Sequence, residues 1–530
     1  MTLKRLLVVG WLCLALAGCQ PVSETLQSTQ SSSISLQPDD RLGQTFTANF
    51  DGLSAIGLII RPLDPQSGAI RLTLARTVQS TQTLRSVELP VTEINSIGIT
   101  YFFFPPLVDS SQADFFLEIE HLGSGRLDLA IGDGASYLDG SLYQNETPAD
   151  NQMAFQLIYG WRYLLLGLVQ EAAGWLALAG AALLLFFLPG WFLSSWLLPG
   201  WQKLPPWSKV ALASSFSLAV YPLLLLWFIL LGWRPGAWLA WIPPGISLLG
   251  LLLQNRGKKF HRRAWLQVHR PDLPGITLAV LAGLILISRF WAIRNLAIPL
   301  WGDSYQHSLI SQLLVEQGGL FRNWQPYSEL DSFSYHFGFP SLTSAFTWIT
   351  GLATPQAVLW VGQWLNALAA ICLYPLARRI NNHPWSGVMA VFLAGLVFAM
   401  PAFFLNWGRY SQLAGMVLLI GLIEITWEFL EQEERSWKLL LLVGIGTAGL
   451  ALSHYRVALF AFLFPITHWL FSLRQPRSRG RLWRSLLSGL VATLLVLPWF
   501  TRSLAEGAWG GFFNHLAKPS SQLSAEALQN

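Results

Sequence analysis

The sequence predicts a polytopic α-helical membrane protein of about ten spans with an N-terminal extracytoplasmic β-sandwich. Three observations predict it. Of 530 residues, 53% are hydrophobic and only 12% charged, with a mean hydropathy of +0.43, whereas a soluble domain carries about 25% charged residues. Apolar stretches of span length recur from residue 174 to residue 500, each near what a hydrocarbon core of about 30 Å requires. Between residues 41 and 160 the texture is different, with short alternating runs separated by Gly, Pro, Asp and Ser.

The chain opens with Met-Thr-Leu-Lys-Arg, an apolar run from Leu6 to Ala17 and then Gly18-Cys19. A basic start, a short apolar run and small residues describe a secretory signal over residues 1–19. Leu16-Ala17-Gly18-Cys19 also has the form of a bacterial lipobox, which would place a lipid on Cys19; an uncleaved signal anchor is the other reading. Either way, the segment after residue 19 is expected to be exported. Residues 20–40 are rich in Ser, Gln and Thr and read as a flexible linker.

In residues 41–160 the alternating runs are Gln44–Phe50, Ala55–Ile60, Ile70–Ala75, Tyr101–Phe104, Phe115–Glu120, Leu127–Ile131 and Met153–Tyr159. That spacing predicts an antiparallel sandwich. Its texture resembles a jelly-roll domain of the carbohydrate-binding type, in which Tyr137 and Tyr143 could stack on sugar or serve as packing.

The spans are expected at about 174–198, 207–231, 237–253, 273–292, 356–377, 385–404, 413–430, 437–453, 457–472 and 485–500. Residues 161–272 then form accessory helices, 273–500 a membrane core and 501–530 an extracytoplasmic tail. With the sandwich outside, the loops counted as internal are 199–206, 254–272, 378–384, 431–436 and 473–484. The basic clusters fall among them: Arg256 to Arg270, Arg378 with Arg379, and Arg474 to Arg484. That is the positive-inside pattern, so the net charge of +5 sets topology and does not call for nucleic acid. The 26 Trp residues suit interfacial ring positions. Three cysteines, Cys13, Cys19 and Cys372, make neither a disulfide framework nor a cysteine metal site.

The polar constellations fall in the loops counted as external. Residues 301–340 run Trp-Gly-Asp-Ser-Tyr-Gln-His, a polar stretch with Glu329 and Asp331, and then Asp-Ser-Phe-Ser-Tyr-His-Phe-Gly-Phe-Pro. Asp303 and His307 are four apart, on one face if that segment is helical. They could be a base with its orienting partner or two ligands of a divalent cation, and Asp303 could also be a helix cap. Arg409, Tyr410 and Gln412 come from Asn-Trp-Gly-Arg-Tyr-Ser-Gln, and His454 and Arg456 from Ser-His-Tyr-Arg. Guanidinium forks suit phosphate oxygens, although an arginine at a span end can equally anchor to lipid headgroups. Trp301, Tyr335 and His336 complete the candidate substrate contacts. Together they point to a lipid-linked phosphate substrate with its tail among the helices, a carboxylate activating an acceptor hydroxyl and cations steadying the leaving phosphate. No glycine-rich nucleotide loop is present, which argues against a nucleotide sugar as donor.

Residues 273–500, with a first core helix followed by a long external loop that opens on Trp301-Gly302-Asp303, resemble the core of GT-C fold glycosyltransferases of the glycosyltransferase 39 type. The resemblance implies transfer of a sugar from a polyprenyl-phosphate donor to a glycan, lipid or protein acceptor outside the cytoplasm of a bacterial cell. It puts Asp303 at the family's acidic position; His307, Arg409 and His454 have no fixed family equivalent, and His307 stands as a catalytic candidate on its spacing from Asp303 alone. This chain departs from the pattern in lacking a paired Asp-Asp or Glu-x-Asp motif after the first core helix, so dependence on a divalent cation stays open. It also places extra spans and a sandwich before the core and stops soon after the last span, which leaves a short form and a fragment both open. Two other classes compete. A transporter or flippase of lipid-linked glycans would show inverted repeats and mid-span charge, and Glu424 is the exception to the scarcity of the latter. A non-enzymatic envelope protein would bind glycan through the sandwich and be indifferent to loss of Asp303.

Overall fold

A computed structural model describes residues 22–505, apart from 39, 64–66, 81, 95–97, 146, 257–271, 435 and 476–477. The expected leader with Cys19, most of the basic 254–272 loop and nearly all of the 501–530 tail lie outside the described residues. The chain divides into two compact units, Met1–Leu176 and Ala177–Asn530.

The first unit is β-rich, and every strand pairing in it is antiparallel. A six-stranded sheet has at its centre Arg41–Ala48, Ala113–Ser124 and Ser67–Ala75, and two four-stranded sheets accompany it. All seven alternating runs contribute to strands. The alternation works as expected: Phe46 faces Phe115 and Leu42 faces Ile119 across the ladder, and all four side chains are buried. One apolar core gathers residues from all three sheets, among them Phe46, Leu72, Ile56, Leu157 and Leu129. Tyr137 belongs to that core, its hydroxyl accepting from the Thr47 N–H at 3.2 Å. It is packing and is not an exposed platform for sugar. Tyr143 is half-buried, edge-on to Phe116 at 5.8 Å.

The segment read as a linker is a correction. Val22–Gln27 and Ser32–Leu36 are strands, the first paired with Phe155–Tyr159 and the second with Leu127–Asp133. Leu36 is buried in the core and Leu26 and Ile34 pack against it, while on the exposed face Ser33 and Ser35 Oγ donate to the Asp128 carboxylate at 3.0 and 2.6 Å. Gln27 is buried, with its Nε2 donating to the Thr29 carbonyl at 3.0 Å.

The second unit is helical. Six helices are long and apolar enough to cross a membrane: Trp161–Leu197, Pro206–Leu230, Leu273–Ile293, Thr354–Asn381, Tyr410–Glu431 and Ser478–Leu504. The first of these begins in the other unit. Three expected spans are shorter apolar helices, Pro384–Val397, Trp437–Ser453 and Tyr455–Phe471. A helix of 17 residues rises only about 26 Å, less than the hydrocarbon core. The span expected at 237–253 is the helix Trp238–Asn255, which carries Pro243 and Pro244 and belongs to neither group. Six of the ten expected spans are thus helices long and apolar enough to cross a membrane among the described residues, and the other four are shorter or Pro-interrupted helices.

Pro206–Leu230 is the most enclosed of the early helices, and Ser215 on it donates to the Val417 carbonyl at 2.7 Å, fixing it to the Tyr410 helix. Glu424, the mid-span acid, is paired with Arg379 at 3.3 Å, and the same guanidinium reaches Glu428 and Glu431. Arg289, buried in Leu273–Ile293, donates to Asn366 Oδ1 and the Gly395 carbonyl at 2.8 and 2.7 Å. A buried guanidinium is tolerated only with such partners.

The 293–355 loop is folded. It contains the helices Gly302–Gln317 and Gly338–Thr350, whose inner faces are buried at Ile310, Leu313, Phe339 and Phe346. Between them Phe321, Trp324 and Phe333 cluster with ring centroids 4.2 to 5.7 Å apart, and Trp324 Nε1 donates to the Ser332 carbonyl. That cluster pins the connection and delivers Tyr335 and His336 to a defined place.

Candidate functional site

Asp303, His307, Tyr335, His336, Arg409, Ser411, Gln412, His454, Tyr455, Arg456, Val457 and Phe460 line one cavity of about 420 Å³. They come from four separate stretches of chain. They meet in two pairs, each through a glycine at which a Cβ has no room. Gly338 lies against Ser453, so that a Cβ there would sit 2.5 Å from the Ser453 Cα, and this closeness brings His336 to His454. Gly408, at φ +59, lies against the Leu300 carbonyl and Ser304, which sets Arg409 beside Asp303.

Three helices begin at the cavity. Asp303 is in the first turn of Gly302–Gln317, Ser411 and Gln412 are in that of Tyr410–Glu431, and Arg456 and Val457 are in that of Tyr455–Phe471. Each start presents N–H groups and the positive end of a helix dipole. The Gly302 helix is entered through Trp301 at φ 71 and ψ 154, a region nearly reserved for glycine and costing about 1–3 kcal/mol. Ser304 Oγ closes that turn by donating to the Trp301 carbonyl at 2.7 Å.

The charged members are few. Arg409 Nε stands 3.5 Å from Asp303 Oδ2, with both side chains about half exposed, and its guanidinium lies over the Trp407 ring at 4.9 Å. Arg456 lies over Tyr455 at 5.7 Å. Two guanidiniums against one carboxylate leave the bowl positive.

The three imidazoles are neutral near pH 7. Burial first, and then the His454 ring, push His307 down to about 3. Burial followed by Arg456 and Arg409 pushes His454 down to about 4. Burial also holds His336 well below the ordinary range, with His454, His307 and Arg456 adding to it. His307 is edge-on to Phe339, with Ser411 Oγ 3.3 Å from its Nε2 and 3.4 Å from its Nδ1. His336 stacks on Tyr335 at 3.8 Å and stands 4.8 Å from the His454 ring. Both its ring nitrogens are buried without a partner among the described residues. His454 Nδ1 accepts from the Val457 N–H at 3.2 Å, capping the helix. A neutral imidazole that accepts at Nδ1 carries its proton at Nε2, so His454 offers a hydrogen-bond donor.

Eight of the ten site residues expected from sequence line this cavity, and two do not. Trp301 is an exposed ring whose backbone, and not its side chain, serves the site. Tyr410 is fully buried behind the wall, packed on Gly362 and 5.7 Å from the Phe339 ring. Glu329 and Asp331 are exposed and stand outside the lining. Asp303 and His307 share the cavity but are not bonded to each other: the acid pairs with Arg409 and the imidazole with Ser411. Among the described residues no group of three or more His, Cys, Asp or Glu is placed to hold a metal ion, so the pair has no third ligand of that kind. Ser411, Tyr455, Val457 and Phe460 are lining residues that sequence reading missed. Ser411 was within reach, lying between two residues already singled out. No family model, curated protein or solved structure matches the chain.

Proposed function

We propose that the chain is a membrane glycosyltransferase that moves a sugar from a polyprenyl-phosphate donor to an acceptor hydroxyl on the extracytoplasmic side of a bacterial cytoplasmic membrane. One observation carries the reading. A carboxylate, two guanidiniums and neutral imidazoles meet in a cavity walled in part by Val457 and Phe460, at the start of a helix that also carries exposed apolar side chains. Leu459, Leu463, Ile466 and Leu470 on Tyr455–Phe471 are each about half exposed or more and recur at helical spacing. A prenyl chain would lie along that face with its phosphate at the helix start.

In this reading Asp303 accepts the proton of the acceptor hydroxyl. The acceptor oxygen bonds to the anomeric carbon, the bond from that carbon to the phosphate oxygen breaks, and its electron pair leaves on the polyprenyl phosphate. Arg409, Arg456 and the Nε2–H of His454 stabilise the charge that develops there. His307 and Ser411 form the back wall that sets the depth of the pocket. The helices of 273–500 would correspond to the GT-C core. The N-terminal sheets would act as a jelly-roll-like sandwich that holds glycan near the membrane, anchored at Cys19 if that residue is lipidated.

Membranes containing the full chain and a radiolabelled polyprenyl-phosphate sugar test this. Asp303→Asn is expected to lower transfer by roughly 10²- to 10⁴-fold while leaving thermal unfolding unchanged, because the carboxylate is half exposed. Undiminished transfer by that variant would refute the assignment.

A further inference from the structure

Arg409 has one acidic partner at present and a position that suits another. Its contact with Asp303 is a single one at 3.5 Å between two half-exposed side chains, and such pairs are weak. A phosphate group offers the guanidinium a forked, charge-assisted contact, which is stronger. Trp407 under the guanidinium gives it a surface to pivot on.

The rest of the cavity is supplied with donors. Arg456 has no acidic partner among the described residues. His336 is 5% exposed and carries an N–H with nothing to give it to, which is costly for a buried polar group. His454 Nε2–H and three helix starts face the same space. Asp303 is the lone carboxylate among them.

We propose that Arg409 exchanges partners: it holds Asp303 in the arrangement described here, and a substrate phosphate takes it over, leaving Asp303 free to accept the proton of the acceptor hydroxyl. The exchange ties the readiness of the base to arrival of the donor. It rests on the reading of the donor as phosphate-linked, and it needs no turnover to be observed.

The experiment is a double-mutant cycle on phosphate binding by the full-length chain in detergent. Inorganic phosphate and farnesyl phosphate are the probes, followed by tryptophan fluorescence. Asp303 competes with phosphate for Arg409, so Asp303→Asn is expected to tighten binding by up to roughly fivefold, the worth of an exposed ion pair. Arg409→Gln is expected to weaken it by roughly tenfold or more. In the Arg409→Gln background, Asp303→Asn should then change affinity little. Asp303→Glu, which keeps the competitor, should bind phosphate much as the parent does, and it serves as the check should Asp303→Asn fold poorly. Equal or weaker binding by Asp303→Asn overturns the exchange. So does an equal gain with and without Arg409, which would reduce the effect to long-range charge, and so does absence of saturable phosphate binding by the parent. The last of these outcomes also counts against a phosphate-linked donor, whereas the first two leave that reading standing, and transfer in Asp303→Asn is read separately.

Discussion

Acid is expected to unfold the helical unit through its imidazoles, and the size of the effect can be worked out. The ordinary histidine value is about 6.5, and the folded chain holds His307 at about 3 and His454 at about 4. The unfolded chain therefore binds these protons first. Stability from this source is complete above about pH 6.5 and is lost as the pH falls through the window down to about 4 and then 3. At pH 5 the loss hardly depends on the folded value, because both rings are still neutral in the native state. An unfolded histidine there gains about 1.5 pH units of proton binding, or about 2 kcal/mol. His307, which is almost fully buried, should contribute that much. His454 should add a similar amount, less what solvent screens. Against a total stability of roughly 5–15 kcal/mol, the loss is large. Denaturant unfolding in detergent at pH 5 to 8, followed by tryptophan fluorescence, measures it. His307→Gln should reduce the drop between pH 7 and pH 5 by about 2 kcal/mol, with the other histidines cancelling in the comparison. A flat profile in the parent, or a full slope in His307→Gln, would refute the reasoning.

Two further outcomes are expected. In Gly338→Ala the new Cβ would stand 2.5 Å from the Ser453 Cα, where ordinary contact begins at 3.4 Å, so the two segments must part by about 0.9 Å. Overpacking of this kind costs about 1–3 kcal/mol, read as a shift in unfolding midpoint, whereas Gly489→Ala, whose Cβ meets nothing within 4 Å, should not destabilise. Trp301→Gly should be more stable than Trp301→Ala by about 1 kcal/mol, because only glycine is at ease at φ 71. Equal stabilities would remove strain as an account of that turn.

The parts of the fold that were legible are those where burial and periodicity coincide. Phe115, Leu117 and Ile119 recur at every second position, with Asp114, Glu118 and Glu120 on the other face, and lie at the centre of the largest sheet. Val22–Gln27 and Ser32–Leu36 escaped notice because Ser, Gln, Glu and Thr outnumber the few apolar positions, Leu26, Ile34 and Leu36, that meet the core, and Ser33 and Ser35 bond to Asp128, nearly a hundred residues away. Span counting reads apolar content, and Trp437–Ser453 is as apolar as a span without having the length of one. In the site, Asp303, Arg409 and His454 stood out as polar groups in greasy surroundings, and the cavity contains all of them. Tyr410 stood out for the same reason and is core, because a phenol packed on Gly362 reads no differently in sequence from one facing a cavity. Val457 and Phe460 were invisible for the converse reason: in an apolar helix nothing distinguishes a pocket wall from a lipid-facing side chain.

The nitrogen of His454 that fastens the Val457 amide is also the one that a proton or an acylating reagent would claim. Either event would unfasten the first turn of Tyr455–Phe471 and slacken the wall carrying Arg456. The ring can therefore lend a hydrogen from its outer nitrogen, but it cannot act as a base at the inner one without loosening the helix it begins. Treatment with diethyl pyrocarbonate would accordingly register as a local fraying as well as a chemical mark.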